Sequence, residues 1–150
     1  NVFSSVGVSH FVNRIEKLQP NTQAQWGKMN AAQMVKHCQK PLDVAEGRLK
    51  MKGGILGFLF GKMVKKQFLC EKALKKNMGT APQFKIEETP EFENEWQFLV
   101  AMVKRFGKKG PEVIVNKKHP LFGEMTEEEY EALLATGWTL EGTDETPSPA

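Results

Sequence analysis

The clearest structural pattern in the sequence is TPEFENEWQFLVAMVKRFG, which occupies residues 89–107. Large apolar side chains recur in it at intervals of three and four, which places them along one face of an α-helix. These side chains are Phe92, Trp96, Leu99, Val103 and Phe106. Thr89 followed by Pro90 is a helix start signal, and Gly107 is a stop signal. The stretch therefore predicts a long amphipathic helix with one buried face.

Two shorter patterns of the same kind precede this stretch. The first ends before Pro20, and its apolar members are Val8, Phe11, Ile15 and Leu18. The second begins with Asn30 and Gln33, which have the spacing of a capping box, and it ends at Gly47. Its apolar members are Met34, Cys38, Leu42 and Ala45. We therefore expect two helices before the long one.

A fourth helix is predicted near the end of the sequence. Thr126 and Glu129 again have capping-box spacing, and Tyr130, Leu133 and Leu134 start an apolar face that Gly137 interrupts. The second and third helices are separated by roughly forty residues, a crossover too long for a simple turn in a compact domain. The segments 80–86 and 113–115 look extended but are too short to build a sheet. The predicted fold is an all-α four-helix bundle with a long crossover between helices two and three.

Length and composition set broad limits on function. The chain has 150 residues and a net charge of +3, far below the charge density of a dedicated duplex-DNA binder. We predict one bundle domain over residues 1–136 and an acidic, flexible tail over residues 137–150. Two cysteines are too few to staple a chain of this length, which favours reduced thiols and a cytoplasmic location. The most apolar run, residues 53–64, is about half a membrane span, so we expect neither a transmembrane segment nor a signal peptide.

The sequence contains three histidines that could be metal ligands, and no two of them share a helical face at i, i+4. His37 borders the apolar face of helix two, and Pro41 removes the N–H that its carbonyl would accept, so we expect the helix to bend or end there beside a pocket. The alternative is a core-edge histidine bonded to a neighbouring element. His119 fits a turn or capping role better than metal ligation, and His10 is assigned no function.

Two other features could carry chemistry. Cys38 is either a buried small apolar residue, which we favour, or a nucleophile beside His37. Residues 48–76 are strongly basic and contain interleaved aromatic side chains, with Glu71 as their single acid. Such an arm could bind an anionic membrane or a phosphate ligand, or it could be the solvated face of an ordinary crossover helix, which we favour. Its cations are Arg48, Lys50, Lys52, Lys62, Lys65, Lys66, Lys72, Lys75 and Lys76.

Three segments together resemble a bacterial branch of the DinB-like superfamily, the relatives of damage-inducible protein B. They are WGKMNAAQMVKHC at 26–38, KKNMGTAPQF at 75–84, and HPLFG at 119–123 followed by three glutamates at 127–129. The similarity covers roughly residues 5–134 in the order that the branch has them. It implies a four-helix bundle that often forms homodimers. It also implies a divalent nickel or zinc ion held by one histidine of helix two and two of helix four, with His37 at the helix-two position.

The sequence departs from this family at helix four, where both expected histidines are absent after Leu134. One imidazole cannot hold a catalytic ion firmly, because such sites need about three protein ligands. Glu141 and Asp144 have i, i+3 spacing, but Gly137 and Gly142 disfavour a helix around them. We therefore predict an incomplete, vestigial metal site.

The sequence leaves three functions to distinguish. We favour a small-molecule-binding or interaction module that uses the surroundings of His37 or the basic crossover. The first alternative is a metal-dependent transferase or hydrolase with His37 as one ligand of nickel or zinc. The second is contact with an anionic membrane or phosphate ligand through residues 48–76. A homodimer is expected, a duplex nucleic acid partner is not, and whether the chain is an enzyme stays open.

Overall fold

A computed structural model of the protein describes residues 3–51, 65–66, 80–115, 118–119, 123–126 and 128–129. These residues are mainly helical, in agreement with the expected all-α class. The three helices are α1 (Ser5–Glu16), α2 (Ala31–Ala45) and α3 (Phe92–Lys109), and 3₁₀ turns cover Pro82–Phe84 and Gly110–Val113. The two-residue strands β1 (Lys118–His119) and β2 (Gly123–Glu124) pair antiparallel.

Helix α1 buries the apolar stripe that the sequence predicts. The Ser4 hydroxyl accepts a hydrogen bond from the Gly7 N–H at 3.0 Å, which caps the first turn. Phe11, Val12 and Ile15 are buried in the core. The prediction of the first helix is confirmed.

Helix α2 begins with the predicted capping box but does not end at its proline. The Asn30 side chain accepts from the Gln33 N–H at 2.9 Å, and the Gln33 side chain accepts from the Asn30 N–H at 3.1 Å. The expected break near Pro41 is wrong in one respect, because the helix continues to Ala45. Leu42 and Ala45, at 1% and 0% exposure, are anchored in the core, and their burial outweighs the hydrogen bond lost at Pro41.

Helix α3 has shifted ends relative to the sequence prediction. The Glu91 carboxylate, not Thr89, caps it by accepting from the N–H groups of Glu93 and Asn94 at 3.2 and 2.9 Å. The helix passes through Gly107 and stops before Gly110, whose φ of +66° favours glycine. The glycine that ends the helix is therefore Gly110 and not Gly107.

Helices α2 and α3 run parallel. Gln39 contacts Glu95 near the start of α3, and Glu46, which caps the end of α2, contacts Arg105 in the second half of α3. Parallel neighbours cannot be joined by a short turn, because the chain must return along the whole helix before the next one begins. The long crossover predicted between them has this geometric cause.

Helix α1 runs antiparallel to α3. The Trp96 indole donates to the Ile15 carbonyl at 2.9 Å near the start of α3. Near its end, Gly107 lies so close to Val8 that a Cβ atom there would overlap the valine side chain. This close approach explains why a glycine interrupts the apolar pattern of α3 without ending the helix.

The core lies where the three helices meet. Its fully buried large side chains are Phe106, Leu42, Leu99, Met102, Val35, Val44 and Val103. Two segments predicted to be extended are partly 3₁₀ turns instead, Pro82–Phe84 and Gly110–Val113. Each contains a proline at its first or second position, whose fixed φ suits a turn as well as a strand.

The capping box predicted to begin the fourth helix is present in the structure. The Thr126 N–H donates to the Glu129 carboxylate at 3.0 Å, and the Glu129 N–H donates to the Thr126 hydroxyl at 3.2 Å, which forms the predicted capping box. Lys65 donates to the same carboxylate at 2.7 Å and to the Glu124 carbonyl at 3.0 Å. The predicted body of that helix and the tail over residues 137–150 lie outside the described residues.

Candidate functional site

His37 lies on α2 with its ring half-buried against the 3₁₀ turn at Pro82–Phe84. Its Nδ1 is 2.8 Å from the carbonyl oxygen of Phe84. A carbonyl oxygen can only accept, so Nδ1 carries a hydrogen and donates it. The Phe84 ring meets the imidazole edge-on, with ring centres 6.0 Å apart. The residue that the sequence singled out therefore connects α2 to the crossover.

Burial lowers the pKa of His37 below its ordinary value of 6.5, because the surrounding protein solvates an imidazolium poorly. The bond to Phe84 acts in the opposite direction, and the nearby Lys40 adds a smaller lowering effect. The imidazole is therefore neutral at neutral pH, with its hydrogen on Nδ1.

Two more residues of α2 bind the chain that follows Phe84, a segment named here the 84–88 strap. The Gln33 side chain donates to the carbonyls of Ile86 at 3.3 Å and Glu88 at 3.1 Å. Lys36 forms an ion pair with the Glu88 carboxylate at 2.9 Å. That bond raises the pKa of Lys36 and lowers the pKa of Glu88. His37 and Gln33 thus hold alternate carbonyls of the strap against α2, and Lys36 holds the carboxylate at its end.

The same face of α2 continues into a polar contact with α3. Gln39 is a buried polar residue, at 6% exposure. Its amide donates to the Glu95 carbonyl at 3.1 Å and to the Glu95 carboxylate at 2.8 Å, while Lys36 approaches that carboxylate at 3.4 Å. These bonds satisfy the buried amide and fix the register of the two helices.

The described side chains do not fit the metal centre that the family resemblance implies. No three His, Cys, Asp or Glu side chains come close enough to hold an ion within the ranges that the structure covers. His10 is exposed on α1, and only the backbone of His119 is described, in β1. The other acids considered as ligands, Glu141 and Asp144, lie outside the described residues.

Cys38 behaves as the apolar residue that the sequence favoured. It is buried in the core at 7% exposure, and its sulfur lies 3.9 Å from the sulfur of Met34. Burial among apolar side chains is typical of a cysteine that contributes to packing. Cys70 lies outside the described residues.

The basic crossover is only partly described, and two of its cations there are engaged. Lys65 donates to the Glu129 carboxylate and to the Glu124 carbonyl. Arg48 donates through Nε to Asp43 at 2.9 Å and forms an ion pair with Glu46. Lys50 and Lys66 are exposed. The described part of the arm thus combines solvated lysines with cations that bind acids of the bundle.

A second polar site, which the sequence did not indicate, lies where α2 and α3 end. It is a groove of about 780 Å³, named here the C-terminal groove. Eight residues line it, namely Glu46, Arg48, Arg105, Lys108, Lys109, Glu112, Val113 and Val115. They come from the end of α2, the last turns of α3 and the segment after it. Because they are scattered between residues 46 and 115, no local motif could reveal them.

Glu46 organises the charges of the C-terminal groove. Its side chain is only 8% exposed and accepts a two-pronged bond from Arg105, through Nε at 2.9 Å and Nη2 at 2.7 Å. Arg48 forms an ion pair with Oε2 of the same carboxylate, the oxygen that also accepts from Nη2 of Arg105. The side chains of Arg105 and Arg48 remain 33% and 43% exposed, so their outer edges face solvent.

Comparisons with known proteins do not assign the chain to a family. No family model matches the sequence, and neither the curated proteins nor the solved structures gave a match. None of the described helices has the length and hydropathy needed to cross a membrane.

Proposed function

We propose that this chain is a binding or interaction module built on a helical bundle, and that its metal site is vestigial. The observation that carries the proposal is the role of His37. Its Nδ1–H is committed to the Phe84 carbonyl, and its ring packs edge-on against Phe84, so it works as a strut between α2 and the 84–88 strap. A residue that keeps this structural role can persist after the ligands around it have been lost.

We further propose that the bundle has four helices and the DinB-like arrangement. Two described features support this. Helices α2 and α3 are parallel, which requires the long crossover of that arrangement, and a capping box at Thr126 and Glu129 begins a helix at the expected place. The homodimer and the cytoplasmic location stay predictions.

One observation favours a metal-dependent transferase or hydrolase as a second candidate. Histidines that bind metals through Nε2 commonly donate their Nδ1–H to a backbone carbonyl, as His37 does to Phe84. That bond orients the ring equally well in a protein without metal. The described donor set does not fit an ion.

Two variants of His37 distinguish its role as a structural strut from a role as a metal ligand. His37→Asn keeps an N–H donor near the position of Nδ1 but has no atom near Nε2, whereas His37→Ala has neither. For a strut, we expect His37→Ala to lower the free energy of unfolding by about 2 kcal/mol, because the Phe84 carbonyl loses its donor and a gap remains. His37→Asn should retain most of that stability in a urea titration.

Elemental analysis of the same purified proteins completes the test. A binding module should carry no stoichiometric nickel or zinc, and a chelator should leave its melting temperature unchanged. One equivalent of either metal in the wild-type chain, lost to the same extent in both variants, would contradict the proposal and support the enzyme.

A further inference from the structure

The C-terminal groove brings four cations together where α2 and α3 end. Four cations line it, Arg48, Arg105, Lys108 and Lys109, against the carboxylates of Glu46 and Glu112. The C-terminal ends of α2 and α3 also point there, and each contributes about half a negative charge. Asp43, which binds Arg48 from outside the groove, brings the sum of these negative charges level with the cations. An anion is therefore attracted by the outer edges of the two arginines and by Lys108 and Lys109, not by a net charge of the groove.

The two arginines are already oriented for binding. Each has five N–H donors, and Glu46 fixes both guanidinium groups without using them all. Arg105 donates to Glu46 through Nε and Nη2, while Arg48 uses Nε for Asp43 and Nη2 for Glu46. Within the described part of the chain, the Nη1 groups of both have no recorded acceptor. Donors that are held in place before a ligand arrives lose little entropy when it binds.

Apolar groups lie beside these donors. Val113 is buried under the groove at 5% exposure, whereas Val115 stands at its edge at 68% exposure. The Val115 N–H donates to the Ala45 carbonyl at 2.9 Å, which fixes its backbone to the end of α2. A held, exposed aliphatic side chain next to a guanidinium pair suits a ligand with an oxyanion at one end and a hydrocarbon at the other.

We propose that the C-terminal groove binds a small organic anion, a carboxylate or phosphate group on a short aliphatic tail. Its oxygens accept from the outer N–H groups of Arg48 and Arg105, Lys108 and Lys109 add attraction, and its tail lies on Val115. This proposal rests on the proposed binding function and names the ligand class and the site. It involves neither His37 nor a metal, so it can fail while the strut role of His37 stands.

Four probes titrated into the ¹⁵N-labelled full chain test the ligand class by NMR. Hexanoate and hexyl phosphate carry both groups, acetate lacks the tail, and hexanol lacks the charge. We expect saturable shifts at the arginine Nε–H signals and the Val115 amide with hexanoate or hexyl phosphate. Comparing these two identifies which oxyanion is preferred. Acetate and hexanol should bind at least fivefold more weakly. Equal shifts with hexanol, or no saturable shift with either amphiphilic anion, would overturn the proposal.

Matched variants test the location. Lys108→Gln with Lys109→Gln should weaken hexanoate binding about fivefold, because two attractive charges are lost. Lys28→Gln with Lys85→Gln removes the same charge from exposed positions near the other end of α2 and should leave binding unchanged. Val115→Ser should reduce the preference for hexanoate over acetate without unfolding the chain. Equal weakening by both lysine pairs would show nonspecific attraction and overturn the assigned site.

Discussion

The two ends of the parallel α2–α3 pair use polar side chains in different ways. At the strap end, Gln33, His37 and Gln39 donate to backbone carbonyls. Lys36 adds ion pairs with Glu88 and Glu95 there. At the groove end, Glu46 and Arg105 pair as full charges. Bonds to carbonyls hold the strap against the first end, whereas the ion pairs of the second end leave further donors facing an open groove. The difference indicates that the strap end serves the fold and that the groove end is available for binding.

The largest expected effect comes from removing the carboxylate that organises the groove end. In Glu46→Ala, two guanidinium groups lose their shared partner and repel each other. We expect the free energy of unfolding to fall by about 3 kcal/mol, the lower part of the range for broken buried ion pairs, because both arginines reach solvent. Chemical denaturation of the variant and the wild type measures this difference.

Glu112→Ala is the matched control, because Glu112 lines the same groove but is exposed. It should change stability by less than about 0.5 kcal/mol. If the two variants were equally stable, the ion pairs of Glu46 would be surface pairs of little energetic importance, and the contrast between the two ends would disappear.

A smaller effect is expected at the strap end from Gln33→Ala. The substitution removes two donors to strap carbonyls and the acceptor that caps the Asn30 N–H. Since these groups are partly exposed and water can replace the lost bonds, we expect a loss of about 1 kcal/mol. Thermal unfolding followed by circular dichroism is sufficient to measure it.

Gln33→Glu refines the same comparison, because it keeps an acceptor for Asn30 but places a carboxylate against the two strap carbonyls. It should be at least as destabilising as Gln33→Ala. Gln97→Ala, which removes an exposed glutamine bonded only to Glu93 on α3, should have almost no effect. A stable Gln33→Glu variant would mean that the strap is not held by these donors.

The smallest effect concerns pH and depends on the burial of His37. Its folded-state pKa is lowered below the ordinary value of 6.5, so between these two values the unfolded chain binds a proton that the folded chain does not. The stabilisation is complete above pH 6.5 and is lost as the pH falls towards the folded-state pKa. Urea titrations at closely spaced pH values below 6.5 should reveal this slope.

His37→Asn should remove the slope, and His10→Asn, at an exposed position of α1, should leave it in place. The Lys36–Glu88 ion pair weakens only at lower pH, because the pKa of Glu88 lies below its ordinary value of 4.5. A slope that persists in His37→Asn would assign the effect to another group.

The sequence predicted the elements of the fold better than their ends. Repeats of apolar residues located α1, α2 and α3, because a helix that buries one face must repeat every three to four residues. The capping boxes at Asn30 and Thr126 were also predicted, since their bonds join residues three positions apart. Gly107 misled the prediction because its reason lies in α1, where Val8 leaves no room for a side chain.

The candidate sites are formed by contacts between residues far apart in the sequence, and local sequence patterns do not reveal such contacts. Sequence spacing placed His37 at the border of the core, but its partner, the Phe84 carbonyl, is a backbone atom of a segment predicted to be extended. The C-terminal groove was not predicted at all. Glu46 and Arg105 look like ordinary surface charges in the sequence, and only the parallel course of their helices brings them together.

Because α2 and α3 are parallel and joined by a long connection, the two ends of the helix pair should fold together. Gln39 and Glu95 are 56 positions apart, and Glu46 and Arg105 are 59 positions apart. Closing a loop of that length costs conformational entropy, and contacts between such distant positions form slowly. Once one pair has met, the rigid helices bring the other pair into reach at little further entropic cost. During refolding, both ends should therefore gain protection from hydrogen exchange in one kinetic step.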